Sequence, residues 1–137
     1  MIVRIAVTTV ALALVVFVGT TWWALESFGV ATVETLTEDG SLRSTHVWYV
    51  EPDGELWLEA GSPENGWFRD ALENPALSFR AEQRSGRYRA QPLDGDDAHH
   101  RIRSLIRAKY GLRERWVGLL VDTSRSVAVQ LVPERPN

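Results

Sequence analysis

Between residues 40 and 75 the chain reads GSLRSTHVWYVEPDGELWLEAGSPENGWFRDALENP, and this stretch leaves little choice of local fold. A strand-like run, Ser44 to Glu51, meets Pro52-Asp53-Gly54, and a second strand, Glu55 to Ala60, follows. Pro52 suits the second position of a tight turn, and Gly54 supplies the positive φ that sends the chain back antiparallel. A Gly/Ser/Pro/Asn loop from Gly61 to Gly66 then leads into a short amphipathic helix closed by Asn74-Pro75. The first free N–H groups of that helix favour an anion, and they lie beside the rim of a sheet. A hairpin, a small-residue loop and a helix N-terminus in that order make a seat for a phosphorylated cofactor.

The remaining pattern is also antiparallel. Ala31–Thr37 alternates and is rich in β-branched residues, so it reads as a first strand. Ala76–Glu82 and Arg87–Gln91 alternate around a turn at Arg84-Ser85-Gly86 and form a second hairpin. Asp94-Gly95-Asp96-Asp97 opens a helix to about Tyr110, with acids in its first turn and Gly111 as its stop. Ile102, Leu105, Ile106 and Lys109/Tyr110 form its buried stripe, with Arg101, Arg103 and Arg107 mostly outside it. Arg113–Val121 is ambiguous between helix and strand, and Ser126–Val132 is a closing strand. About six strands and two or three helices result. A small antiparallel sheet buries one face by curling on itself, which predicts an α+β barrel.

The first 27 residues stand apart from a domain over 28–137. Ile5–Leu25 holds 21 residues without a charge, enough to cross a hydrocarbon core of about 30 Å at ~1.5 Å per residue. Trp22 and Trp23 stand where an interfacial aromatic belt belongs. The expectation is a single-pass transmembrane helix with membrane lipid as its partner. The alternatives are a cleaved signal, opposed by the length and the bulky Trp residues, and a buried core helix. The side of the membrane stays open, because Arg4 alone precedes the span and Arg43 is the nearest basic residue after it.

The run TEDGSLRSTHVWYVEPDGELWLEAG, continued by NGWFRDALENPALSF, resembles the split-barrel flavin and deazaflavin oxidoreductases. The likeness is strongest to the deazaflavin-dependent nitroreductase and quinone reductase branch, over roughly residues 32 to 133. It implies an antiparallel split β-barrel of the FMN-binding kind with flanking helices. It also implies a deazaflavin (F-420-type) or FMN cofactor, a quinone-like or nitro-aromatic acceptor, and a homodimer of the kind many split barrels form. The resemblance places Arg43, Ser44, Thr45, Ser62, Asn65, Gly66 and Trp67 at the cofactor and Tyr110 and Trp116 over the substrate. Two departures bear on it. The family's first turn is basic where this chain has Thr37-Glu38-Asp39-Gly40, and the family's loop Lys is replaced by Pro63-Glu64-Asn65. Carboxylates in those places repel a phosphate. The rival expectation is therefore a non-catalytic binding or scaffolding domain of the same fold at the membrane.

Other chemistries are poorly served. The absence of cysteine removes disulfides, thiolate zinc sites and a thiol nucleophile. His99 and His100 point about 100° apart on a helix and cannot ligate one metal together. His46 lies on the same strand face as Ser44, and either meets the cofactor or lies outside the barrel. No G-x-S-x-G elbow surrounds Ser41, Ser44 or Thr45, and a net charge of −3 without a basic aromatic patch gives no call for nucleic acid. A flavin-type reductase needs no triad, since the cofactor carries the chemistry, so the catalytic residues stay unassigned.

Overall fold

A computed structural model of the chain describes residues 2–26 and 29–134, with side chains on the first helix described from 7 to 23. Its elements are α1 (Ile2–Glu26), β1 (Val30–Leu36), β2 (Leu42–Val50), β3 (Leu56–Ala60), α2 (Gly66–Glu73), β4 (Ala76–Arg80), β5 (Ser85–Leu93), α3 (Asp96–Tyr110), α4 (Leu112–Leu120) and β6 (Val127–Pro133). The strands close an antiparallel barrel in the order β1-β2-β3-β6-β5-β4, with β4 paired back to β1. The ambiguous segment after Gly111 is thus helical. The boundary expected between 27 and 28 falls outside the described residues.

The β2–β3 turn forms as its residues dictate. Asp53 and Gly54 take φ of 54° and 82°, and Glu55 N–H donates to the Pro52 carbonyl at 2.9 Å. The second hairpin turns earlier than expected. Ala81 N–H donates to the Arg84 carbonyl at 2.7 Å, so Ser85 and Gly86 are already strand, opposite Arg80 and Phe79.

β1 is paired along its whole length with β2, from Val30↔Trp48 to Leu36↔Leu42, whereas β2 meets β3 only at Tyr49↔Leu58 and Val50↔Trp57. The first half of β2 therefore parts from the end of β3. This split is where the 61–65 loop and α2 enter.

Inside the barrel, alternate residues of β1 (Ala31, Val33, Thr35) are buried, and Ala31 and Val33 pack with Leu58, Phe79 and Val129. Trp67, Phe68 and Ala71 of α2 join that core. A second cluster forms outside the wall, where α3 lays Ile102, Ile106 and Tyr110 over Val50, Trp57 and Ala128. Because β3 is covered on both faces, Leu56, Trp57 and Leu58 are all buried in succession. Each fully buried Ile contributes about 1.5–3 kcal/mol.

One helical position departs from the pattern. Arg103, expected outside the α3 stripe, is 7% exposed. Its guanidinium donates to Glu59 on β3 at 2.8 and 3.1 Å and to Glu114 on α4.

Residues 2–26 form one helix, about 37 Å long at ~1.5 Å per residue. Burial in the core is excluded, because Val7, Leu12, Val15 and Val18 are 63, 63, 69 and 59% exposed. The transmembrane expectation is met only as far as the helix itself. Among the described residues no helix is long and apolar enough to cross a membrane. The described side chains, 7–23, stop short of the ends of the uncharged 5–25 run.

Candidate functional site

α2 begins at Gly66 behind Asn65, whose side chain makes no capping hydrogen bond. The Asn65 carbonyl accepts from Phe68 N–H and Arg69 N–H, each at 3.0 Å. The N–H groups ahead of these carry the helix's partial positive charge without a side-chain cap. Two cavities flank this point.

The first, about 720 Å³, lies between the 37–43 loop and the outer side of α2, and takes in Asp39, Arg43, Gly66, Arg69, Asp70 and Glu73. The loop is tied by Asp39, which accepts from Thr37 Oγ1, from Ser41 Oγ at 2.8 Å and from Ser41 N–H at 3.1 Å. The hydroxyls of Thr37 and Ser41 hold the Asp39 carboxyl down at about 2. Asp39 is therefore an ionised fixture of the turn.

Arg43 reaches this cavity but is engaged. Its Nε donates to Asp70 Oδ2 at 2.7 Å, and the same oxygen accepts from Thr35 Oγ1 at 2.8 Å. Thr35 and Arg43 are opposite one another in the β1–β2 register, so both address Asp70 from one face. The guanidinium lies over Gly66, where an added Cβ would fall 2.9 Å from Nη1. A cation is thus parked at the positive end of a helix, held there by Asp70. Arg69, exposed on the same rim, has no ion-pair partner among the described residues. In all, Arg43 and Arg69 face Glu38, Asp39, Asp70 and Glu73.

The second cavity, about 270 Å³, fills the split between β2 and β3 and is mostly apolar. Thr45, Trp48, Asn65, Trp67, Val117 and Val121 line it. His46 also lines it, alongside the buried Glu59–Arg103–Glu114 cluster. Two carboxylates there share Arg103, and Arg107 approaches Glu114 at 3.7 Å. Trp48 is half-buried and stacked on Tyr110 at 4.6 Å and 11°. Its Nε1 is buried without a hydrogen-bond partner.

Of the residues expected at the cofactor, Arg43 and Gly66 line the first cavity and Thr45, Asn65 and Trp67 the second. Ser44 lies exposed in β2 opposite Glu34, and the Ser62 carbonyl accepts from Asn65 N–H at 3.1 Å, so neither lines a cavity described here. The two aromatics expected over the substrate line neither cavity. Tyr110 is 4% exposed, and its hydroxyl donates to the Gly29 carbonyl at 2.6 Å and accepts from Tyr49 N–H at 3.0 Å. Burial pushes its phenol up, so it stays protonated. Trp116 packs on α1, with ring centroids 5.8 Å from Phe17.

Sequence reasoning missed Arg69 and Asp70, although both lie within a turn of Gly66 and an Asp there was a legible partner for Arg43. It also missed Glu59, Arg103 and Glu114, which come from three separate elements. Among the described residues no His, Asp or Glu cluster suits a metal ion, and His99 is occupied by the Ser126 carbonyl at 2.9 Å.

No family profile matches the sequence, and no curated protein matches it. Solved structures do. A conserved hypothetical protein of Mycobacterium tuberculosis aligns with a TM-score of 0.61 at 21% identity, over 86% of this chain and 80% of that one. The heme storage protein HutZ of Vibrio cholerae aligns at 0.62 and 14%, over 82% and 87%. An F-420-H2-dependent reductase aligns at 0.57 and 19%, over 75% and 94%. At such identities the likeness concerns the fold alone, an antiparallel split barrel.

Proposed function

We propose that this chain is a membrane-tethered oxidoreductase. It seats a deazaflavin, or alternatively FMN, across the N-terminus of α2 and reduces a quinone or nitro-aromatic acceptor. The observation that carries the reading is the uncapped start of α2, standing between a polar cavity and an apolar one. The bound cofactor would supply hydride transfer. The chain's own residues bind and orient.

On the apolar side the residues suit a flat ring. Trp67 offers an aromatic wall, Thr45 and Asn65 offer polar groups, and α4 closes the cavity with Val117 and Val121. On the polar side the fit is partial. The α2 N–H groups and Arg69 favour a phosphate, and the facing carboxylates oppose it. Asp70 is already neutralised by Arg43, which leaves Glu38, Asp39 and Glu73 as the repelling charges. That acidity favours a second reading, a non-catalytic binding domain of the same fold.

Tethering is supported by the exposed apolar side chains along α1. An anchor would hold the cavity beside lipid-dissolved quinones and raise their effective concentration. The deciding experiment titrates the full chain, in detergent, with reduced and oxidised F-420 and with FMN, following cofactor fluorescence. Saturable binding followed by acceptor reduction supports the enzyme. No binding at millimolar cofactor leaves the binding domain.

A further inference from the structure

α4 is exposed where a domain helix is ordinarily covered. Leu112, Leu119, Leu120 and Val121 are 72, 80, 47 and 48% exposed, an apolar patch of the kind that marks an interaction surface. The patch continues onto α1, since Trp116 packs on Phe17 and its Nε1–H donates to Thr21 Oγ1 at 3.2 Å.

The polar groups at this junction are satisfied without water. Thr20 Oγ1–H donates to the Val16 carbonyl at 2.6 Å, and Thr21 Oγ1–H to the Phe17 carbonyl at 2.8 Å. Such back-bonding leaves neither hydroxyl dependent on solvent. Trp22 and Trp23 are 67 and 48% exposed at the same end of α1, as in an aromatic belt. The charge at the α3–α4 corner of the patch is basic, while the exposed Asp122 stands at its other end. Arg107, Lys109, Arg113 and Arg115 surround the α3–α4 corner, and the Glu114 carboxylate among them is buried against Arg103. A basic rim around an apolar helix is complementary to anionic lipid headgroups.

We infer that α4 is a second lipid-contacting element, lying in the plane of an anionic membrane surface beside α1. Leu119, Leu120 and Val121 enter the acyl boundary, and Arg107 and Arg115 meet the headgroups. This rests on the tether reading and adds a consequence. Val117 and Val121 wall the cavity in the β2–β3 split, so that cavity abuts the membrane and takes an apolar acceptor from lipid. A second copy of the chain is the competing occupant.

The chain has no cysteine, so single labels are clean. Spin labels are placed at Leu119→Cys on α4, Val15→Cys on α1 and Glu82→Cys on the β4–β5 turn. Each full-length variant is reconstituted in phosphatidylcholine vesicles with and without phosphatidylglycerol. The expected result is oxygen accessibility several-fold above that of a water-soluble nickel chelate at 15 and at 119, and the reverse at 82. The preference at 119 should strengthen with phosphatidylglycerol and weaken in Arg107→Gln/Arg115→Gln. Lipid accessibility at 15 with water accessibility at 119 overturns the inference and keeps the tether. Water accessibility at both positions removes the tether reading itself. Dipolar broadening at 119 in detergent, without lipid, assigns the face to a second copy and also overturns the inference.

Discussion

At the scale of single residues, Arg43 and Arg69 take different parts beside the α2 N-terminus. Arg43 looks like the free cation at the α2 N-terminus, but it partners Asp70, whose side chain is 9% exposed. Arg43→Ala leaves that carboxylate with Thr35 as its side-chain donor, at a cost of about 1–3 kcal/mol in urea unfolding. Half of Arg43 is in solvent, so the lower end is expected. Arg69→Ala should leave stability unchanged, while weakening binding of any phosphorylated ligand by roughly threefold to tenfold in fluorescence titration. Equal ligand affinity in both variants would place the anion elsewhere.

Lys109 offers a pH test at the same scale. Burial lowers its pKa from 10.5 to about 8, although Nζ donates to the Tyr49 carbonyl at 2.8 Å and sits 3.3 Å from the Tyr49 ring centroid. A folded pKa below the unfolded one means the native state releases its proton first. Between pH 8 and 10.5 the unfolded chain therefore binds more protons, and this contribution makes stability rise with pH. Glu51 and Arg113 oppose each other here, Glu51 raising the value and Arg113 lowering it. Lys109→Met should flatten that rise relative to the parent chain when unfolding is followed from pH 7.5 to 10. An unchanged slope would show that the ammonium is hydrated.

At the scale of elements, the buried ion cluster joins three pieces of chain that carry no mutual signal in the sequence. Glu59 projects from β3, Arg103 from α3 and Glu114 from α4, with side chains 6, 8 and 6% exposed. Arg103→Met would leave the buried Glu59 carboxylate without its cation and Glu114 with Arg107 at 3.7 Å, and a loss of about 3–5 kcal/mol is expected in thermal or urea unfolding. Glu59→Gln keeps the guanidinium paired with Glu114 and should cost less than half of that. If the order is reversed, the cluster is hydrated and not closed. This cluster also marks where sequence reading stops. Strands, hairpins and the α2 start were legible, because alternation, Pro52-Asp53-Gly54 and Asn74-Pro75 are local signals. Arg103 was read as surface because the rule that charges face water is also local, and its exception needs partners 44 and 11 residues away.

At the scale of the whole molecule, the same limit explains the mixed outcome at the site. Thr45, Asn65 and Trp67 meet in the split because β2 leaves β3 after two residue pairs, a geometry that the hairpin turn does not encode. Tyr110 was expected over the substrate, but its hydroxyl staples α3 to Gly29 and Tyr49, the junction between α1 and the barrel. That staple separates α1 from the barrel energetically. α1 touches the rest of the described chain mainly at α4, through Phe17, Thr21 and Trp116, whereas Gly29 and β1 are held by Tyr110 and the barrel ladder. Removing residues 1–26 should therefore leave the barrel folded. Its melting temperature by circular dichroism should shift by only a few degrees, which corresponds to about 1 kcal/mol in a domain of this size. The truncated chain would still expose Trp116, Leu112 and Leu119, so it should need detergent or anionic vesicles to stay monodisperse in sedimentation. Truncation that abolishes the cooperative transition would make α1 part of the folding unit. Truncation that yields a monodisperse monomer without lipid would deny α4 any apolar partner.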